Sequence, residues 1–358
     1  DEKLTIKLAK KIKGKAKLSI KFTGTLNDRL LGFYKSQYKD KKGKTKYLAT
    51  TQFEAADARR AFPCWDEPAV KATFDVSLLV EKNMTAISNM PESAKKSVNS
   101  KVLVEFQRTP IMSTYLLYLG VGEFEFLEDK LRNIKIRVIT TKGNKKKAHL
   151  SLELTKKFLS EYEKYFGIKY PLPKLDMLAI PDFAAGAMEN WGAITFRETI
   201  LLYDSKTSST RTKQYIAEVI SHEIAHQWFG NLVTMKWWND LWLNESFATF
   251  MATKIVDKFY PEWDLWDQFL DDAMNTAMSL DSLKSSHPID VNVNHPSEIR
   301  SIFDSISYDK GGCILRMLEH FVGKKNFQNG LKMYLTKHQY SNAEGSDLWN
   351  AIGHVSKQ

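Results

Sequence analysis

Residues 222–226 read His-Glu-Ile-Ala-His, and Glu245 follows after eighteen intervening residues. Two histidines four apart on a helix project from one face about one turn apart, so both imidazoles can grip a single metal ion. Glu223 points roughly 100° round that helix and cannot join them. Its carboxylate is placed instead to take a proton from a water on the metal. His222, His226 and Glu245 form a nitrogen and carboxylate set that suits one Zn2+ in a tetrahedral site, with the fourth position open to water. Copper or nickel could bind the imidazoles more tightly, but ligand type favours zinc. Water held by zinc titrates near pH ~7 rather than ~15.7, which makes hydroxide available under mild conditions. In that chemistry Glu223 is the general base during attack on a carbonyl, and then the acid that protonates a leaving amine. The oxyanion formed on the way needs the metal and one further donor.

Ligands on two helices must be brought face to face. Residues 210–229 have helical spacing and stop at Gly230-Asn231, and a second helix is expected from after Asp240 to Phe259, ahead of Pro261. The link 231–240 lets the second helix turn back on the first. Upstream, 148–166 carries a helical apolar stripe, followed by a proline-punctuated turn at 170–173 and short buried strands at 175–180 and around 193–196. Residues 1–141 have a different character. Short alternating or β-branched runs at 18–22, 73–80, 102–106 and 134–139 are separated by turns at 27–28, 42–44 and 63–68, the pattern of an antiparallel β domain. The polar, lysine-rich run 141–147 marks a boundary. The expectation is an α+β chain of two domains: β over 1–141, mostly α-helical over 142–358.

The 358 residues are 43% apolar and 26% charged, ordinary for a globular protein, but the net charge is +10. Lysines cluster at 7–21, 35–46 and 142–147. In the first cluster Lys17, Ser19 and Lys21 alternate with Leu18, Ile20 and Phe22, which reads as the solvated face of a strand rather than a phosphate-binding surface. No nucleic-acid partner is expected. No apolar run approaches the ~18 residues of a membrane span, and residues 1 onward hold no signal-peptide core. Cys64 and Cys313 are far apart and outside any CxxC pair, so they are expected to be small buried hydrophobes in a reducing, cytoplasmic setting. The oligomeric state is not readable from these residues.

Gly186-Ala187-Met188-Glu189-Asn190, upstream of the metal motif, resembles the signature of the gluzincin-type zinc aminopeptidases. That family includes aminopeptidase N, puromycin-sensitive aminopeptidase and the tricorn-interacting factor aminopeptidases. Further segments resemble the same family in the same order: 51–54 with 60–68, then 237–248 with Ser246 where glycine is common, then 306–311. The resemblance implies a saddle-like N-terminal β domain, a thermolysin-like catalytic domain, one Zn2+ per chain, and removal of N-terminal residues from peptides. It implies that Glu189 and Glu54 bind the free α-ammonium of a peptide and that Tyr308 donates its hydroxyl to the oxyanion. Gly186 and Ala187 would present backbone groups to the peptide as a strand edge. Two carboxylates matched to one ammonium would select a free N-terminus, because an internal peptide nitrogen would leave them unpaired at a cost of roughly several kcal/mol.

Gln52, Met188 and Phe303 either line the pocket for the first side chain or belong to the core. Asp240 either orients a metal-ligating histidine or caps the helix that follows it. His287 and His295 read as loop residues. Members of the family are longer, adding a β-sandwich and a large helical domain, so this chain is expected to begin inside the first domain and end near the close of the second. Two alternatives stand beside peptide hydrolysis: an epoxide hydrolase of the leukotriene-hydrolase type using the same metal, and a peptide-binding fragment without turnover.

Overall fold

The computed structural model describes residues 2–357 of the chain. The alternating runs of the first part form nine strands: β1 Gly32–Lys39, β2 Thr45–Gln52, β3 Ser77–Glu81, β4 Thr85–Ser88, β5 Glu92–Val98, β6 Lys101–Phe106, β7 Leu119–Gly122, β8 Phe124–Leu131 and β9 Ile134–Thr141. Two antiparallel sheets result, ordered β1-β2-β7-β4 and β3-β6-β5. The lysine-rich turn expected at 42–44 closes the β1-β2 hairpin. Asp40 Oδ1 accepts from the backbone N–H of Lys42 and Lys44 at 2.9 and 3.0 Å, and Gly43 takes the positive φ of 77° that the turn requires.

The strand expected at 18–22 is absent. Residues 2–26 hold no regular element, and Leu18 and Phe22 stand 61% and 52% exposed. The alternation is present, but no neighbouring strand receives the backbone and no core receives the apolar face. Cys64 and Cys313 are free thiols as expected, yet both are half-buried rather than buried.

The second part opens with α1 His149–Phe166 and continues with β10 Lys174–Ile180, β11 Ala187–Met188 and β12 Ala193–Arg197. These strands join β8 and β9 in one sheet ordered β11-β12-β10-β9-β8, so strands from both sides of residue 141 share it. β10 lies parallel to both neighbours and every residue in it is buried, as suits a central strand covered on both faces. The helices follow: α2 Glu198–Leu201, α3 Thr210–Ala225, α4 Trp242–Phe259, α5 Leu265–Gln268, α6 Asn275–Asp281, α7 Gly311–Val322, α8 Lys324–His338 and α9 Gly345–Ser356. A short parallel pair, β13 Val233–Met235 with β14 Ser341–Ala343, ties the α3–α4 link to the end of α8. Antiparallel sheets followed by a helical part is the architecture the periodicities imply. Among the described residues no helix is long and apolar enough to cross a membrane.

Aromatic side chains clamp the helices that matter. Phe229, just past α3, stacks on Phe247 of α4 with ring centroids 4.3 Å apart and on Tyr334 of α8 at 5.9 Å. Phe166 of α1 packs on both Trp228 and Phe229. Each fully buried aromatic ring contributes roughly 2–3 kcal/mol of burial and fixes the relative rotation of the helices. The two parts also bond to each other. Asn89 Nδ2 donates to the carbonyls of Leu116 (2.7 Å) and Trp191 (2.9 Å), and Tyr34 Oη donates to Asp182 O at 2.9 Å. The end of β2 meets β11 directly, through Gln52 Nε2 and the sulfur of Met188 at 3.3 Å.

Candidate metal and catalytic site

Helix α3 starts at Ser209, whose hydroxyl accepts from Thr212 N–H, and it ends one turn earlier than the 210–229 spacing implies. His226 is its C-cap, and the chain then turns back through Phe229. The early stop has a consequence for the metal set: Phe229 O returns to within 3.0 Å of His226 Nδ1. A proton on Nδ1 donated to that carbonyl leaves the Nε2 lone pair free for a metal. Gly230 adopts φ +124°, and a Cβ there would lie 3.3 Å from both His226 Nδ1 and Asn244 Nδ2. The Gly-Asn stop signal therefore serves the ligand histidine as well as the helix end.

Helix α4 faces α3 and carries Glu245 in its first turn, where the helix dipole favours a carboxylate. His222 Nε2 and His226 Nε2 stand 3.0 Å apart, and Glu245 Oε2 lies 3.3 and 3.4 Å from them. Ligands about 2.0–2.1 Å from a tetrahedral ion are separated by about 3.3–3.4 Å, so these three atoms fit one metal. Asp240 takes neither expected role. Its Oδ1 accepts from Gly345 N–H at 3.2 Å, which docks α9, while Leu241 precedes α4 without a side-chain cap.

Carboxylates crowd the metal set. Oxygens of Glu54, Glu189 and Glu245 lie within 4.8 Å of one another. Glu54 Oε1, Glu189 Oε1 and Glu223 Oε2 are buried without a hydrogen-bond partner among the described residues. Burial pushes Glu54 well above the usual carboxylate range, and the nearby Glu189, Glu245 and Glu223 push it further. Burial also raises Glu223, against a downward pull from His226. Glu189 is raised to about 7 by burial, with His226 lowering and Glu245 raising it. For His226, burial works downward but Glu189 and Glu245 outweigh it and raise its pKa, so these carboxylates favour positive charge at its Nε2, whether a proton or a metal ion. Buried acids with orphaned oxygens are the signature of a site built to receive positive charge.

Tyr308 sits in a π-helical turn, Ile306–Lys310, with its ring parallel to His222 at 6.1 Å. Burial, then Glu245, Glu54 and Glu189, hold its pKa well above 10, so the hydroxyl keeps its proton and can donate. Ser246 donates to Ser307 O at 2.6 Å and packs against Gly311, where a Cβ would meet its Oγ at 1.8 Å. The serine that stands where glycine is common thus ties α4 to the turn carrying Tyr308.

One cavity of ≈ 730 Å³ takes in the metal set, Glu54, Glu189, Glu223 and Tyr308. Gly186, Ala187, Gln52 and Phe303 also line it. β11 is the edge strand of its sheet, paired among the described residues with β12 alone, and its Ala187 lines the cavity. Met188 is buried behind the wall, where its sulfur accepts from Gln52 Nε2 at 3.3 Å. His287 lies away from the metal set, beside Asp304 Oδ2 at 3.0 Å, and His295 caps the turn Pro296–Ile302. Gln227 and Asn231 were not singled out from sequence. Asn231 Nδ2 donates to Glu189 O at 2.8 Å, and Gln227 Nε2 donates to Glu223 O at 3.0 Å. Two amides inside the apolar run after His226 were the available signal, because buried polar groups need partners. Arg211, Tyr215, Glu218 and Arg300 of the cavity wall were also missed.

Comparison with known proteins adds the following. Residues 150–358 match the family described as the peptidase family M1 domain, and residues 1–116 match the peptidase M1 N-terminal domain. Aminopeptidase M1-D of Oryza sativa subsp. japonica is 50% identical over 358 residues, covering 99% of this chain and 41% of that protein. Leucyl aminopeptidase of Saccharolobus solfataricus is 51% identical over 339 residues, 94% of this chain and 42% of its own length. Aminopeptidase M1 of Arabidopsis thaliana is 51% identical over 336 residues, 94% of this chain and 38% of its own length. The chain thus spans about two fifths of the length of the relatives it matches.

Proposed function

The chain belongs to the M1 peptidase family, and from that premise we propose that it is a zinc-dependent aminopeptidase that hydrolyses the first peptide bond of peptides with a free N-terminus. The observation that carries this reading is the pairing of Glu54 and Glu189, each with a buried carboxylate oxygen that has no partner among the described residues, beside a three-ligand metal set in one cavity. The relatives named above are aminopeptidases, which favours peptide over epoxide hydrolysis.

His222, His226 and Glu245 hold one zinc ion, which supplies, when bound, Lewis acidity to the attacking water and the scissile carbonyl. Glu189 and Glu54 receive the α-ammonium and fix the first peptide bond beside the metal set. The backbone at Gly186 and Ala187, where β11 begins, hydrogen-bonds the peptide backbone. Glu223 takes the proton of the attacking water and delivers it to the departing amine. Tyr308 donates a hydrogen bond from its hydroxyl to the developing oxyanion. Gln52 and Phe303 contact the first side chain, while Met188 supports Gln52 from behind. The catalytic part is thermolysin-like, with the division from the β domain at 141/142, and the free thiols suit a reducing compartment, the cytoplasm. The test is release of free amino acid from unblocked aminoacyl reporters by the purified protein. Turnover that persists after full chelation would remove the metal from the account.

A further inference from the structure

The cavity does not stop at the metal set. It continues along α3 toward the helix start, where Glu218, Tyr215 and Arg211 line it. Glu218, His222 and His226 are spaced i, i+4 and i+8, so they share one face of α3 with about 6 Å of rise between neighbours. The amine-binding end of the cavity is the His226 end, since Glu189 O accepts from Asn231 Nδ2 at 2.8 Å and from Gln227 Nε2 at 3.4 Å, both just past His226, and Glu54 lies beside Glu189. Glu218 lies one turn beyond His222, on the opposite side. An extended peptide advances about 3.4 Å per residue. With its N-terminus at Glu189 and its first peptide bond at the metal set, the next residue falls beside Glu218.

The wall there has a particular chemistry. Arg211 is engaged elsewhere, with its Nη2 2.6 Å from Asp272 Oδ2 and its Nη1 on Gln268. Glu218 is left half-buried and makes no side-chain hydrogen bond among the described residues, and the charges that reach it are those of Arg211 and Asp272. Val219, Leu265, Phe269 and Ala252 line the same cavity with apolar surface, and the bonds of Arg211 to Gln268 and Asp272 hold the segment carrying Leu265 and Phe269 against the start of α3. A carboxylate in a cavity wall that also carries apolar side chains matches a long aliphatic stem that ends in a cation. The whole cavity leans the same way. Seven carboxylates and two arginines line it, although the chain as a whole carries a net charge of +10.

Building on the aminopeptidase reading, we propose that Glu218 is the specificity-determining residue of a subsite for the second residue of the substrate, and that it selects lysine or arginine there. Burial, opposed by Arg211 and reinforced by Asp272, raises the Glu218 pKa to about 7, so an incoming cation would also relieve the cost of its charge.

The test compares two dipeptide amides, Leu-Lys-NH2 and Leu-norleucine-NH2, which share the stem and differ in the terminal charge. Both kcat/KM and, on the Glu223→Gln protein, the calorimetric Kd are measured, so that the comparison stands whether or not the peptides are turned over. The expected lysine preference is roughly tenfold in either readout. Glu218→Gln should bring that ratio close to one, and Glu218→Lys should bring it below one while Leu-Glu-NH2, added as a third peptide, becomes preferred over Leu-norleucine-NH2. A ratio near one in the unaltered protein, or a lysine preference that survives both substitutions, overturns the assignment. Failure of the aminopeptidase reading itself shows differently, as absence of turnover of both peptides and of a single-residue aminoacyl reporter, while the Kd ratio still decides the role of Glu218.

Discussion

Glu189→Gln preserves side-chain volume and removes one charge from the carboxylate cluster, with opposite expected effects on stability and on catalysis. In the folded chain the Glu189 carboxyl titrates at about 7, against an ordinary value of 4.5, because burial and Glu245 outweigh the help of His226. At about 1.4 kcal/mol per pH unit between those values, ionising it in place costs the fold roughly 3 kcal/mol. The sign follows from which state holds the proton. An acid whose pKa is raised by folding stabilises the fold fully below pH 4.5, and that contribution is lost as pH rises through 7. Glutamine carries no such dependence. Urea denaturation in the presence of a chelator should therefore show Glu189→Gln gaining on the unaltered protein by roughly 3 kcal/mol between pH 4.5 and 8. Catalysis should move the other way. Leaving an α-ammonium without one of its two buried partners costs about 3–5 kcal/mol, so kcat/KM on unblocked substrates should fall by roughly 10²–10³. A stability difference between the two proteins that does not change with pH, or an unaltered kcat/KM, would refute the reasoning about this cluster.

Other substitutions separate the remaining roles. Glu223→Gln should retain one zinc per chain by elemental analysis while kcat falls by roughly 10²–10⁴; full activity would remove the general base. Tyr308→Phe should lower kcat by about 10²–10³ with KM little changed, since its hydroxyl acts on the oxyanion and not on the bound peptide. Ser246→Gly removes the 2.6 Å hydrogen bond to Ser307 O and should cost roughly 1 kcal/mol in denaturant unfolding and several-fold in kcat, with metal content unchanged. Removing zinc should lower the thermal midpoint as well as abolish turnover, because the ligands come from two helices that the ion joins, and returning zinc should restore both.

The metal set was legible in the sequence because it depends on local helical geometry: His222 and His226 share a helix face whatever the surroundings. Glu245 was legible because a short link and a second helical run leave the chain room to return. Glu54 was reached only through the resemblance, since nothing in residues 51–54 foretells that β2 ends against the β11 edge some 130 residues later in the chain. Periodicity also misled at 18–22, where alternation had no partner strand to act on, and at 226–229, where helical spacing continues past the end of the helix. Glu218 was invisible for a related reason. On its own helix it reads as one more charged residue, and only the cavity wall built by α4, α5 and the π-helical segment Phe269–Met274 gives it a possible ligand.

The proposal that this chain removes residues from free peptide N-termini at a His222, His226 and Glu245 metal centre is tested most directly by a matched pair of peptides, one with a free amine and the other N-acetylated. The free peptide should release single amino acids from its N-terminus, and the acetylated twin should stay intact under the same conditions. Cleavage of both at similar rates, or cuts at internal bonds, would contradict the assignment of Glu54 and Glu189 to the substrate amine.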